Sequence, residues 1–299
     1  MIPVTVIGGY LGAGKTTLVN HLLRHADGRR LAVLVNEFGA LPIDEDLIEA
    51  RGDELIAIAG GCVCCSFGDN LVGALMKLSA LQPPPEQIVI EASGVAIPGA
   101  IAASVSLLAG FRLNGIVVLA DAETIRGSAG DKYLGDTILR QLRDADLLLL
   151  SKADLVADSE LRKVTDWLES GVSEAQIIAT QHGEIAVDIL LGTPASGRPP
   201  SRTEHADAAF ESVVIDADKP LDAHSLAAEL AAGAYGIVRA KGFVEDLSGE
   251  RLLIQVVGRR AQVSPAQAGA SPALVCIGLR GQIRQAALRA LIETAVRND

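Results

Sequence analysis

The feature that most constrains this chain is GYLGAGKTT, residues 9–17, set directly after a short apolar run at 4–7. Gly9, Gly14, Lys15 and Thr16 satisfy the spacing GxxxxGK[ST], a phosphate-cradling loop that needs a strand before it and a helix after it. Both neighbours are legible, because 4–7 is apolar and 15–24 carries a helical pattern. The glycines Gly9, Gly12 and Gly14 let backbone N–H groups approach phosphate oxygens, and the following helix N-terminus adds its dipole. In such a loop Lys15 reaches the β- and γ-phosphates and the Thr16 hydroxyl holds Mg²⁺, with Ala13 and Thr17 completing the cofactor-binding stretch.

A strand–loop–helix start of this kind predicts an α/β chain, and the downstream pattern agrees. Apolar runs ending in Gly or polar residues recur at 31–38 (LAVLVNEF), 54–61 (ELIAIAGG), 87–94 (QIVIEASG), 114–122 (NGIVVLADA), 145–154 (ADLLLLSKAD) and 175–181 (AQIIATQ). Runs apolar on both faces, separated by helix-length segments, indicate a mainly parallel sheet flanked by helices. Ligands in such sheets sit beyond the carboxyl ends of the strands. The first domain is therefore expected over 1–193, a Pro- and Ser-rich linker over 194–207, and a smaller C-terminal α+β domain over 208–299. That second domain reads as a strand at 210–216, a helix at 225–232, three strands around RAKGFVED, RLLIQVVG and ALVCIGL, and a closing helix at 284–297.

Composition narrows the partners. Lys plus Arg is 26 against 37 Asp plus Glu, a formal net charge of −11 across 299 residues, which disfavours nucleic acid. The phosphate loop starts so near Met1 that no cleaved targeting segment is expected before it. The charge-free run 92–111 has the length of a membrane span, but Pro98 with its Gly and Ser residues reads as a loop followed by a buried helix. A cytoplasmic chain without membrane insertion is the expectation.

Two further patterns complete a nucleotide site. SKAD, 151–154, follows an apolar run and is similar to the [NT]KxD guanine reader. Asp154 would accept from guanine N1–H and N2–H₂, which adenine lacks, and the Lys152 stem would lie along the base. Ser151 stands where Asn is usual; a lone KxD otherwise serves as a helix cap. EASG, 91–94, occupies the strand end where related GTPases carry DxxG. There Glu91 can hold a Mg²⁺-bound water, and Gly94, beside Ser93, can contact the γ-phosphate; the alternative is a Glu that only caps a strand.

Three of the four cysteines fall within four residues, as CVCC at 62–65. Cys62, Cys64 and Cys65 can supply three soft ligands from one turn, leaving a fourth metal position exchangeable. No Cys or His follows at a finger-like spacing. The alternatives are a reactive thiol, a redox pair or buried cysteines without a function, and a bond between adjacent Cys64 and Cys65 would be strained. Cys276, in ALVCIGL, reads as a buried strand residue. Glu37, in VNEFG, lies where a switch segment is expected and could touch Mg²⁺, the transferred metal, or both. Asp44, Glu45 and Asp46 read as a helix start, and His182, in TQHG, as part of the base loop. His21, His25 and His224 carry no assigned role.

Taken together, GYLGAGKTTLVN, VNEFG, GGCVCC, IVIEASG, ADLLLLSKAD, TQHG and RAKGF resemble the CobW-type metallochaperone GTPases, relatives of the hydrogenase and urease nickel-insertion GTPases. The resemblance spans nearly the whole chain. It implies a GTPase that uses GTP and Mg²⁺ and carries Zn²⁺, or in some branches Co²⁺, to a client metalloprotein or cofactor pathway. It further implies that Lys15, Glu37 and Glu91 serve catalysis and switching, that Thr16 and Glu91 serve Mg²⁺, and that Cys62, Cys64 and Cys65 hold the cargo. Two departures matter. Ala40 stands where many members carry a second acid after NEFG, and the linker has only His205 in place of a His-rich stretch. A single held ion is therefore expected in place of bulk storage. Nucleotide-dependent self-association is a further expectation. The competing readings are a GTPase that gates cofactor loading without carrying metal, a metal-sensing adaptor, and a P-loop kinase, the last disfavoured by SKAD.

Overall fold

The computed structural model describes residues 1–35, 70–192, 209–266 and 272–295 in full, and the backbone alone of 48–51, 56–58 and 62–66. Glu37, Ala40, the acidic run 44–46, the linker 194–207 and the cysteine side chains at 62–65 lie outside the described residues. The chain divides into two compact units, Met1–Val187 and Asp188–Asp299.

The first unit runs β1 (Ile2–Gly9), α1 (Lys15–Arg24), β2 (Leu31–Val35), β3 (Ile48–Arg51), β4 (Ile56–Ile58), β5 (Cys62–Ser66), α2 (Leu71–Ser79), β6 (Gln87–Glu91), α3 (Pro98–Ser106), β7 (Phe111–Asp121), α4 (Ile125–Ala129), α5 (Gly135–Arg143), β8 (Leu147–Ser151), α6 (Asp158–Trp167) and β9 (Gln176–Ala179). Its strands form one sheet in the order β3-β4-β5-β2-β6-β1-β7-β8-β9. From β5 to β9 every pairing is parallel. The β3–β4 and β4–β5 pairings are antiparallel.

The mainly parallel sheet flanked by helices is thus as the apolar runs imply, with two corrections at one edge. Of the 54–61 run the described residues are Ile56–Ile58, and that strand runs against its neighbour. CVCC is not a turn. Its backbone is strand β5, paired with β2 on one side and β4 on the other. Cysteine and valine both suit a pleated, half-buried backbone, a preference that ligand spacing alone conceals.

Alternation explains the layers. Val4, Val6, Ala32, Leu34, Ile88, Ile90, Val118, Ala120, Leu148 and Leu150 line one face, packed with Leu75 and Leu78 of α2, Ala102 and Val105 of α3, Ile138 and Leu142 of α5 and Val164 of α6. The alternate residues Ile7, Val33, Val89, Val117 and Leu149 are buried too, as are Leu18, Val19 and Leu22 of α1. Burial on both faces is why these strands read as continuous apolar runs.

The second unit contains the end of α7 (Val187–Leu191), then β10 (Phe210–Asp216), α8 (Ala223–Ala231), β11 (Ile237–Glu245), β12 (Arg251–Val257), β13 (Arg260–Pro265), β14 (Ala273–Leu279) and α9 (Gln285–Ala295). Its antiparallel sheet has the order β10-β14-β11-β12-β13. Leu226 and Leu230 of α8 and Leu288 and Ile292 of α9 cover one sheet face, which carries Ala240, Val244, Ile254, Val256, Leu274 and Cys276. The α+β expectation holds, and Cys276 is buried in its strand. Strand β13 was hidden because RAQVSP, exposed along one edge, has little apolar content.

Candidate nucleotide site

The central strands deliver the site residues to one sheet edge. Ile7 of β1 pairs with Glu91 at the end of β6, Gly9 pairs with Leu119, and Asp121 pairs with Ser151 at the end of β8. The phosphate loop, Glu91 and the SKAD segment therefore share the carboxyl ends of neighbouring parallel strands, where α/β sheets bind ligands.

Gly9 has φ 132°, and a Cβ there would lie 2.4 Å from the Leu119 carbonyl oxygen, so no larger residue fits at the loop entry. At Gly14, φ is 94° and α1 begins with no side chain capping its first turn. Those first-turn N–H groups point where an anion is stabilised by the helix end. Ala13 is buried, and its N–H donates to the Tyr10 carbonyl. Gly12 and Thr17 lie on the exposed side of the loop and helix start. Lys15 is 8% exposed and its Nζ donates to the carbonyls of Gly9 and Tyr10, at 3.0 and 3.2 Å. The ammonium is thus held inside the curl of the loop.

Thr16 Oγ1 donates to Glu91 Oε1 at 2.9 Å, joining residues 75 positions apart. Glu91 is 4% exposed, and a carboxylate that deep is costly to hold charged without donors or a cation beside it. A hydroxyl and a carboxylate in contact are hard oxygen donors of the kind Mg²⁺ prefers. The donor set fits that ion. Beyond Glu91 the chain turns at 93–96, closed by Ala96 N–H donating to the Ser93 carbonyl at 3.1 Å. Gly94 abuts the phosphate loop, since a Cβ on it would come within 2.4 Å of Leu11 Cδ2 and 2.9 Å of the Leu11 nitrogen.

The SKAD segment is tied to the same loop. Ser151 Oγ donates to the Ala13 carbonyl at 2.8 Å and lies 3.2 Å from the Ala120 carbonyl. A serine at this position therefore still links strand β8 to the phosphate loop. Lys152 adopts φ 56°, and its Nζ pairs with Asp121 Oδ2 at 2.6 Å. Asp154 sits in the 3₁₀ turn Ala153–Leu155, with His182 Nε2 at 3.9 Å from its Oδ2. His182, also at positive φ (49°), thus stands beside Asp154. The Ala153 N–H donates to the Thr180 carbonyl, fastening the two loops together.

The sequence reading left three contributors unassigned. Asp121 orients Lys152, and its signal was an acid closing an otherwise apolar strand. Gln141 is 1% exposed and donates to the carbonyls of Gly94 and Ala96. Its signal was a polar residue on the apolar stripe of α5, between Ile138 and Leu142. His21 is also not idle. Its Nε2 lies 2.9 Å from the Ile185 carbonyl and its ring stacks 4.4 Å from that of His25. Burial pushes its pKa down from the ordinary histidine value, with the His25 ring adding to the effect and the Ile185 carbonyl opposing it. Among the described residues no group of three His, Cys, Asp or Glu side chains forms a metal cluster.

The fold and this loop geometry define a P-loop nucleotide-binding protein. Residues 3–179 match the family described as CobW/HypB/UreG, nucleotide-binding domain, and residues 210–296 match the cobalamin synthesis protein cobW C-terminal domain. The chain belongs to the CobW/HypB/UreG family. It is 32% identical over 346 aligned positions to the zinc chaperone CobW of a Sinorhizobium species, covering 99% of this chain and 97% of that one. It is 34% identical to the zinc-regulated GTPase metalloprotein activator 1 of Schizosaccharomyces pombe, over 62% of this chain and 47% of that protein. Among solved structures, the Zn(II)-bound YjiA GTPase from E. coli is similar with a TM-score of 0.51 and 27% identity, covering 99% of both chains. No helix among the described residues is long and apolar enough to cross a membrane.

Proposed function

We propose that this chain is a GTP-hydrolysing, zinc-binding chaperone that holds its metal at Cys62, Cys64 and Cys65 and passes it to a client protein. The observation that carries the reading is a register. Val35 of β2 pairs with Ser66, at the end of the cysteine strand, on one side and with Glu91 on the other. Two strand spacings put those backbones about 10 Å apart, so the cysteine strand and Glu91 belong to one sheet, a single strand apart.

In this reading Lys15 leaves the Gly9 and Tyr10 carbonyls for the β- and γ-phosphates, and the first turn of α1 donates to phosphate oxygens. Thr16 and Glu91 hold Mg²⁺, which supplies charge neutralisation on the phosphates. Asp154 accepts from the guanine edge, and Lys152, released from or shared with Asp121, lies along the base. Gly94 carries the γ-phosphate signal and Glu37 acts as the switch acid. Thiolates suit a soft cargo, and a three-cysteine set leaves a position through which the metal can leave. The residues present do not choose between Zn²⁺ and Co²⁺; the names of the relatives favour Zn²⁺. Intrinsic turnover is expected to be slow, because no arginine finger or catalytic glutamine is evident in the sequence.

The test is a competition titration of Zn²⁺ and Co²⁺ against a chelator, with a Mg²⁺–GTP analogue, with Mg²⁺–GDP and without nucleotide. Coupling is expected as at least tenfold tighter metal binding in the triphosphate state, about 1.4 kcal/mol. Equal affinity in all three states sinks the nucleotide-gated carrier. Replacing Cys64 and Cys65 together with Ser should abolish the metal effect; if it survives, the thiolates are not the site.

A further inference from the structure

We propose that Gln141 is a positioning residue that latches the turn 93–96 against the phosphate loop and thereby sets how well the site separates a nucleoside triphosphate from a diphosphate. The inference rests on the reading of Gly94 as the γ-phosphate contact.

The side chain makes an unusual use of one amide. Its Nε2 donates to the Gly94 carbonyl at 3.0 Å and to the Ala96 carbonyl at 2.7 Å. Both hydrogens of the –NH₂ are thus spent on one turn, and at 1% exposure water has little access to replace them. From the other side, Gly94 is pressed against Leu11 of the phosphate loop with no room for a Cβ. The turn is therefore gripped between α5 and the loop that cradles phosphate. Three residues further along, Asp144 Oδ2 accepts from Gly99 N–H at 2.8 Å, anchoring the start of α3 just beyond the turn.

The helix that grips the turn also leads straight into β8, whose Ser151 donates to the Ala13 carbonyl. One helix–strand unit thus holds the turn after Glu91 with one end and the phosphate loop with the other. A shift of the turn toward a γ-phosphate must stretch or exchange the two Gln141 bonds. Their strength fixes the resting position from which the triphosphate pulls, because a ligand biases an equilibrium only by its differential affinity.

The experiment compares wild type, Gln141→Met and Gln87→Met. Methionine keeps the length and apolar stem of Gln141 but donates nothing. Gln87 is a matched control: 6% exposed, in β6 of the same sheet, donating to Thr5 and remote from the turn. Affinities for a Mg²⁺–GTP analogue and Mg²⁺–GDP are measured by fluorescence titration, with GTP turnover and thermal midpoints alongside. Gln141→Met is expected to shrink the triphosphate preference about tenfold, the scale of a lost amide pair in a buried site. GDP affinity should stay within about twofold, and kcat should fall more than KM rises. Gln87→Met should lower the thermal midpoint and leave the preference intact.

A second variant reads the donor itself. Ionised Gln141→Glu has no hydrogen to give, and its protonated form has one, so its triphosphate preference should recover as pH is lowered. This variant carries the test if the methionine form does not fold. An unchanged preference in Gln141→Met, or an equal loss in both methionine variants, overturns the latch, as does a pH-independent Gln141→Glu. Wild type that neither hydrolyses GTP nor favours the triphosphate overturns the function reading itself, and the latch with it.

Discussion

At the scale of single residues, three positions make the reading testable. In the proposed site Asp154 is the group that would separate guanine from adenine, through two hydrogen bonds to a charged acceptor. Asp154→Asn is expected to weaken GTP binding by about 2 kcal/mol, roughly thirtyfold in Kd, in a fluorescent-nucleotide titration; ATP binding should not change. Gly94→Ala drives a methyl into Leu11 and is expected to lower GTP turnover at least tenfold while sparing GDP affinity; wild-type turnover in this variant counts against the contact. Cys276 is the third. Burial pushes its thiol up to about 12, so at pH 8 it holds almost no thiolate, the reactive form. In the native chain a disulfide-exchange reagent should therefore modify only cysteines of the 62–65 cluster, and added Zn²⁺ should protect them. Fast labelling of Cys276 by peptide mapping would remove this assignment.

Elements carry what single residues cannot, and here the sequence was partly legible. The helix α1 and strands β6, β8 and β10 were readable because two-sided burial, a 3.6-residue stripe or strict alternation shows in the apolar pattern. The edge beyond β2 was not, because β3, β4 and β5 are short and β4 runs antiparallel to both of its neighbours. Ligand chemistry drew attention away from the strand character of CVCC. Polar ties were equally silent. Thr5 Oγ1 accepts from Gln87 Nε2 at 3.3 Å and from Asn114 Nδ2 at 2.9 Å, across three neighbouring strands and at the bulge where the β1–β7 register shifts between Val4 and Thr5. Thr5→Val should cost about 2 kcal/mol, measured by urea unfolding. His21 fastens α1 to the segment at Ile185. Its folded pKa lies below 6.5, so the unfolded chain takes up its proton first. The contribution of His21 is present above about pH 6.5 and is lost as pH falls toward the folded value. Urea midpoints should therefore decline on acidification through that window, and His21→Gln should flatten the decline; an unaltered slope would mean that other groups set it.

At the scale of the whole molecule, the second unit carries a buried tie of its own. Its sheet is built around the RAKGF strand, where Arg239, 2% exposed, donates to the carbonyls of Ile189 and Leu190 at 2.9 and 3.1 Å. Sequence marked that arginine as a family signature without saying what it does; the structure makes it a buried tie to the end of α7. Arg239→Met should lower the thermal midpoint of the chain and leave nucleotide affinity within about twofold.

The Val35 register has one more consequence, and it is electrostatic. A separation of about 10 Å between the Ser66 and Glu91 backbones is no longer than the distance over which 0.1 M salt screens a charge. Nucleotide phosphates would therefore act on a bound cation as a field as well as through any movement of the sheet. The two influences separate by ionic strength. A field weakens as salt is raised from about 0.02 to 0.5 M, whereas a change of shape does not. In the proposed carrier, the salt dependence of any nucleotide effect on metal affinity would measure how much of the signal crosses the sheet without anything moving.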